Sequence, residues 1–249
     1  MMPRLALTAA LLLAAATGRA PDARAEDFGA IVVTRDAAEI LVSDMADTPR
    51  APHLAGEALL LLLGARDIAA GTVDAETSIR LGPGRSGSLM TGLQAVALGA
   101  QGYRAPMAGV AAQLGRDAET LSRRLADLAR RVGMTGSSVS ISADTDGAPR
   151  FTGTATLRDI ARIATAFDAL PRVSAEIFGP ATGYGAPDIW MHRAGSCLLA
   201  RIGPATGRPL AAAMTGAPDV AACFGAASRN ILAQDARLAD GAGAISRRE

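Results

Sequence analysis

At 249 residues, 49% hydrophobic and 20% charged, the chain has the length and apolar content of one globular domain with a sizeable core. A net charge of +1, no run of like charges and only 3% aromatic residues exclude the basic face and stacking platforms of a nucleic-acid-binding protein. All 25 basic residues are arginines, whose guanidinium stays protonated, so no mechanism that needs a lysine as general base is open to the chain.

The first 25 residues read as a secretory leader. Arg4 is the positive end, Leu5 to Ala16 is a 12-residue apolar stretch, and Ala23-Arg24-Ala25 is a small-x-small cleavage site before Glu26. Twelve residues fall short of the ~20 that a spanning helix needs, so no membrane anchor is expected in the mature chain. A domain over 26–235 and a frayed tail over 236–249 follow.

Phe28 to Thr34 and Glu39 to Ser43 are β-rich runs flanking Arg35-Asp36-Ala37-Ala38, a hairpin signal. After Pro49 and Pro52 an apolar helix is expected from Leu54 to Ala70, buried at the domain centre because Leu59 to Leu63 leaves no polar face. Gly82 to Ser88 reads as a glycine-rich loop, with helices then over Leu89–Gly99 and Ala105–Leu114. The periodicity is clearest over Asp117 to Val132, where Leu121, Leu125, Leu128 and Val132 share one stripe and Gly133 ends the helix. A loop around Asp144–Pro149 precedes a helix over Leu157–Phe167, which Thr156 and Asp159 open in a capping-box pattern. Two strands, Ser196–Ile202 and Leu210–Thr215, and a helix over Asp219–Ala233 complete the domain. Cys197 and Cys223, the only cysteines, are a possible disulfide or two buried thiols.

Four stretches carry a family resemblance. They are Ala30–Val33 with Ala46–Pro52; Leu128-Ala129-Arg130-Arg131-Val132-Gly133-Met134-Thr135; Thr156-Leu157-Arg158-Asp159-Ile160-Ala161; and Ala194–Leu198 with Thr215-Gly216-Ala217. In this order, over residues 28–233, they resemble the penicillin-binding D-alanyl-D-alanine carboxypeptidases of the serine β-lactamase-like superfamily, which trim peptidoglycan stem peptides. The resemblance implies an α/β (α+β) fold, an antiparallel sheet flanked by helices.

The same resemblance locates three absent motifs. Such enzymes use Ser-x-x-Lys at a helix start, Ser-x-Asn on a loop and Lys-Thr-Gly on an edge strand. The serine attacks and the lysine takes its proton, an arrangement that works because i and i+3 share a helix face. Here Leu54 stands at the nucleophile position and Glu57 at that of the lysine. Gly102-Tyr103-Arg104 falls over the second motif, and with Asn230 the only asparagine no frame restores it. Pro187-Asp188-Ile189 falls over the third, and Ala181-Thr182-Gly183-Tyr184 matches it only superficially.

The only histidines, His53 and His192, lie beside the first and third vanished motifs and are candidate cleft residues. With Glu57 or Asp188 they could form an acid/base pair or a weak metal site, although a metal site usually needs three ligands at better-defined spacing. Ser86, Ser88 and Ser196 are alternative hydroxyls without a recognisable base, and Tyr103 and Arg104 could hold a carboxylate. No cofactor or metal is expected. The sequence reads as a secreted, periplasmic, catalytically inactive relative that binds a peptidoglycan stem peptide or an envelope protein. The alternative is a diverged hydrolase of cell-wall peptides with chemistry rebuilt around His53, Glu57 and His192.

Overall fold

The computed structural model describes residues 28–34, 39–99, 102–144, 147–179, 189–193, 196–200, 210–216 and 220–245. The leader at 1–25, Ala181–Asp188 and residues 246–249 lie outside them.

A five-stranded antiparallel sheet is built from β1 (Gly29–Thr34), β2 (Ile40–Asp44), β7 (Ile189–Arg193), β8 (Ser196–Ala200) and β9 (Leu210–Thr215), in the order β2-β1-β9-β8-β7. The two ends of the chain meet at its centre, where Ile31 pairs with Ala213 and Val32 with Ala212. Both strands are buried at every position because both faces of the sheet are covered, which explains their continuous apolar runs. Side-chain alternation sorts them: Ile31, Val33, Leu198, Ala211 and Ala213 face the main core. Ala30, Val32, Cys197, Leu210, Ala212 and Met214 face a second, smaller core beneath the C-terminal helix α7 (Val220–Ile245).

The main core is organised around α1 (His53–Ala69). Leu59, Leu60, Leu61 and Leu62 on it have no exposed surface, so the helix is enclosed on all sides as its sequence suggests. Around it stand α2 (Leu89–Leu98), α3 (Arg104–Gly115), α4 (Ala118–Arg131), α5 (Leu157–Ala166) and α6 (Pro171–Phe178). Leu121, Leu125 and Leu128 bury the stripe of α4, while Val132 is only partly buried against the core. Arg124 ties α4 to α1 through both carboxylate oxygens of Asp67, at 2.6 and 2.8 Å. Asp117 caps α4 by accepting from the Thr120 amide at 2.7 Å, and Thr156 caps α5 by accepting from the Asp159 amide at 3.2 Å.

Several elements differ from the sequence expectation. The glycine-rich stretch 82–88 is not a loop: Arg85–Ser88 (β4) pairs antiparallel with Ser78–Gly82 (β3), and Gly84, at φ 64, supplies the left-handed turn. The segment at Asp144–Pro149 connects a second hairpin, β5 (Ser138–Ala143) with β6 (Pro149–Thr154), whose strands the apolar pattern had not marked. Helix α6 was likewise unmarked; β7 holds Ile189, which the resemblance sets on an edge strand, and β8 is described over Ser196–Ala200, with residues 201–202 of the expected strand outside the described residues. The C-terminal helix continues to Ile245, into the stretch read as a tail from 236, instead of ending at Ala233. Cys197 and Cys223 are joined in a disulfide with Cα atoms 6.2 Å apart, fixing α7 to β8. Among the described residues no helix is long and apolar enough to cross a membrane.

Candidate functional site

Pro52 precedes α1 and accepts the Gly56 amide through its carbonyl at 2.8 Å, so the helix starts where a Ser-x-x-Lys motif would stand. Leu54 and Glu57, three residues apart on one face, are each only 2% exposed. Burying a carboxylate is costly unless it is hydrogen-bonded. Tyr103 answers that cost: its Oη lies 2.9 Å from Glu57 Oε1 and donates to it. The neighbouring Arg104, at the start of α3, makes an exposed ion pair with Asp144 at the end of β5, at 2.9 Å. Gly102, at φ 88, provides the left-handed turn that sends the chain into α3. Residues that the resemblance sets over the first and second motifs therefore touch one another.

A further closure comes from β6. A Cβ added to Gly56 would fall 2.2 Å from the ring of Phe151, so the aromatic ring lies directly on the first turn of α1. The space beside this turn is filled by protein. A pocket of about 200 Å³ lies elsewhere, where Arg116 and Asp117 meet Ile141, Gly147 and Pro149, and none of Leu54, Glu57 or Tyr103 lines it.

Among the described side chains, the remaining candidates are not assembled into a reactive group. His53 is exposed and its side chain, among the described residues, makes no hydrogen bond or ion pair. Ile189 opens the edge strand β7 with its side chain fully buried, opposite Ala200. The His192 backbone is placed opposite Cys197, while Pro187 and Asp188 fall outside the described residues. Ser88 caps α2 by accepting from the Thr91 amide at 3.2 Å, which gives its hydroxyl a structural role. Among the described residues no three His, Cys, Asp or Glu side chains group to hold a metal.

Three of the four stretches that carry the family resemblance converge elsewhere, at the start of α5. Asp159 is 1% exposed and accepts from the Gly136 amide at 2.9 Å, Ser137 Oγ at 2.8 Å and Arg162 Nη1 at 2.8 Å. Arg162 also donates to the Gly133 carbonyl at 2.7 Å, binding the turn that ends α4. One residue earlier, Arg158 grips both oxygens of Asp47 at 2.6 and 2.7 Å, and its amide donates to the Ala46 carbonyl at 3.1 Å. The bond from Arg158 holds the Asp47 carboxyl below its ordinary range and pushes the guanidinium up. That contribution is fully present above the ordinary carboxylate value and is lost as pH falls through the lower folded-state one. The sequence signalled Asp159 as part of a helix cap but not as the acceptor for residues 22 positions away.

The solved structures agree with this architecture. The D-alanyl-D-alanine carboxypeptidase DacD from Francisella tularensis superposes with a TM-score of 0.65 at 11% identity, covering 82% of this chain and 68% of its own. This chain has the fold of the penicillin-binding proteins. Penicillin-binding protein D2 from Listeria monocytogenes, solved with ampicillin bound, gives 0.64 at 16% identity over 87% of this chain and 99% of its own. Penicillin-binding protein 6B from Escherichia coli gives 0.65 at 11% identity over 88% and 79%. No protein-family model and no curated protein matches the sequence. At such identities the likeness of this penicillin-binding-protein fold to its neighbours is one of architecture, and the site must be judged on its own residues.

The Tyr103–Glu57 contact gives a direct expectation. Tyr103→Phe removes one donor from a buried carboxylate and should lower unfolding stability by about 1–3 kcal/mol, read from denaturant midpoints. A change within error would show that the hydroxyl is not what accommodates Glu57.

Proposed function

We propose that this chain is a non-catalytic relative of the D-alanyl-D-alanine carboxypeptidases that acts in the cell envelope as a binding protein. The observation that carries the reading is the pair on the first turn of α1: a buried leucine where a nucleophile would stand and a buried glutamate where its base would stand. Leucine offers no atom to attack a carbonyl, and Glu57, at 2% exposure, is out of reach of a proton on a bound substrate. Export is supported by the leader-like first 25 residues and by the Cys197–Cys223 disulfide, which persists in an oxidising compartment. Of the two partner classes, an envelope protein is favoured over a stem peptide held in the cleft, because Tyr103 and Phe151 already pack against the first turn of α1.

Two measurements test the reading. Incubated with a peptide ending in D-Ala-D-Ala, the purified protein should release no D-alanine; release that disappears on mutating one serine would sink the proposal. Intact mass of the periplasmic product should match a chain starting at Glu26 and lacking two hydrogens for the disulfide. An uncleaved, reduced chain in the cytoplasm would remove the envelope assignment.

A further inference from the structure

Three features of the first turn of α1 point to more than the loss of two residues. Glu57 and Leu54 share a helix face and are almost wholly buried. Tyr103, from a different part of the chain, reaches that face with its hydroxyl at 2.9 Å from Glu57. Arg104, its neighbour, fastens the same segment to Asp144 on the β5–β6 hairpin, and Phe151 of that hairpin lies on Gly56 between Leu54 and Glu57. The start of α3 and the β5–β6 hairpin are thus both fixed against α1, one by a part-buried hydrogen bond and the other by ring packing.

We infer that Tyr103 is a closing contact, which keeps the first turn of α1 sealed from solvent and from any peptide by tying the start of α3 to Glu57. The inference rests on the proposed reading of this turn as the remnant of a nucleophile helix. These two ties differ in exposure. The Tyr103–Glu57 bond ends on a carboxylate with 2% exposure, whereas the Arg104 and Asp144 side chains are 47% and 38% exposed and their pair is screened by water. Closure should therefore depend on the tyrosine and hardly on the arginine. An apolar residue at the nucleophile position is consistent with a sealed turn, since no solvent or substrate needs to reach it.

Thiol labelling reads closure directly, independently of any partner or activity. Leu54→Cys should be protected from a small maleimide in the otherwise native protein. Adding Tyr103→Ala should accelerate its labelling by about tenfold or more through local opening, with Tyr103→Phe intermediate and Arg104→Ala changing it less than about twofold. Leu61→Cys, in the middle of the same helix, is the control for global unfolding and should stay protected in every background. Rapid labelling of Leu54→Cys with Tyr103 in place would overturn the inference, as would equal acceleration at Leu61→Cys. Failure here would leave the absence of turnover intact, whereas D-alanine release with a protected Leu54→Cys would refute the proposed function instead.

Discussion

Replacing Asp159 with alanine is expected to cost about 3–5 kcal/mol of unfolding stability, the range seen when one partner of a buried charged group is removed. The side chain accepts from two donors of the 136–137 turn and from Arg162, and at 1% exposure water cannot substitute. The loss would strand the Gly136 amide and the Ser137 hydroxyl and leave the Arg162 guanidinium without its carboxylate. For a domain of this size the midpoint of thermal unfolding should fall by roughly 10 °C. Asp159→Asn, which keeps the shape and one acceptor oxygen, should lose less. Equal stability of Asp159→Ala and the native protein would show that the convergence of these segments is not what fixes the turn after α4.

Removing the disulfide should be the second large effect. Cys197 and Cys223 are 26 positions apart, and closing a loop of that length restricts the unfolded chain by about 3–4 kcal/mol in the loop-entropy treatment. Both residues are fully buried in the smaller core, beside Val32, Met214, Ala227 and Ile231. Cys197→Ala with Cys223→Ala should therefore lower stability by about that amount, with a small further term for lost volume. The effect should match that of reducing the native protein before unfolding. A double variant as stable under oxidising conditions as the native chain would mean that the bridge contributes nothing to holding α7 on β8.

These two sites also mark what the sequence disclosed and what it concealed. Leu121, Leu125 and Leu128 recur at helical spacing with charges between them, so α4 was plain from periodicity, and the all-apolar Leu59–Leu63 gave away the buried helix. The hairpins were obscured for local reasons. Arg85-Ser86-Gly87-Ser88 contains no apolar residue, and in β5 only Val139 and Ile141 carry the pattern, both just partly buried. Strand pairing between such segments is decided by neighbours distant in sequence. Asp159 was legible as a capping residue because its cap lies three positions away, but its long-range donors follow from how the turn after α4 packs on α5. The Tyr103–Glu57 bond spans 46 positions, and its only hint in the sequence is that the resemblance sets both residues at motif positions.

The resemblance itself has a physical explanation. The stretches that survive, around Ala46–Asp47, Gly133–Thr135 and Thr156–Arg162, meet at one polar cluster that holds α5 against the ends of other elements. The stretches that the resemblance sets at motif positions, around Leu54–Glu57 and Gly102–Arg104, meet at the first turn of α1.

The central claim is that this fold carries no acyl-accepting serine at the start of α1, and incubation with a fluorescent penicillin tests it most directly. The native chain should give no labelled band after denaturation. The variant Leu54→Ser with Glu57→Lys should give none either, because groups acting as a catalytic unit are strongly non-additive and the second and third motifs remain absent. A covalent band on the native protein that is lost on mutating a single serine would contradict the account.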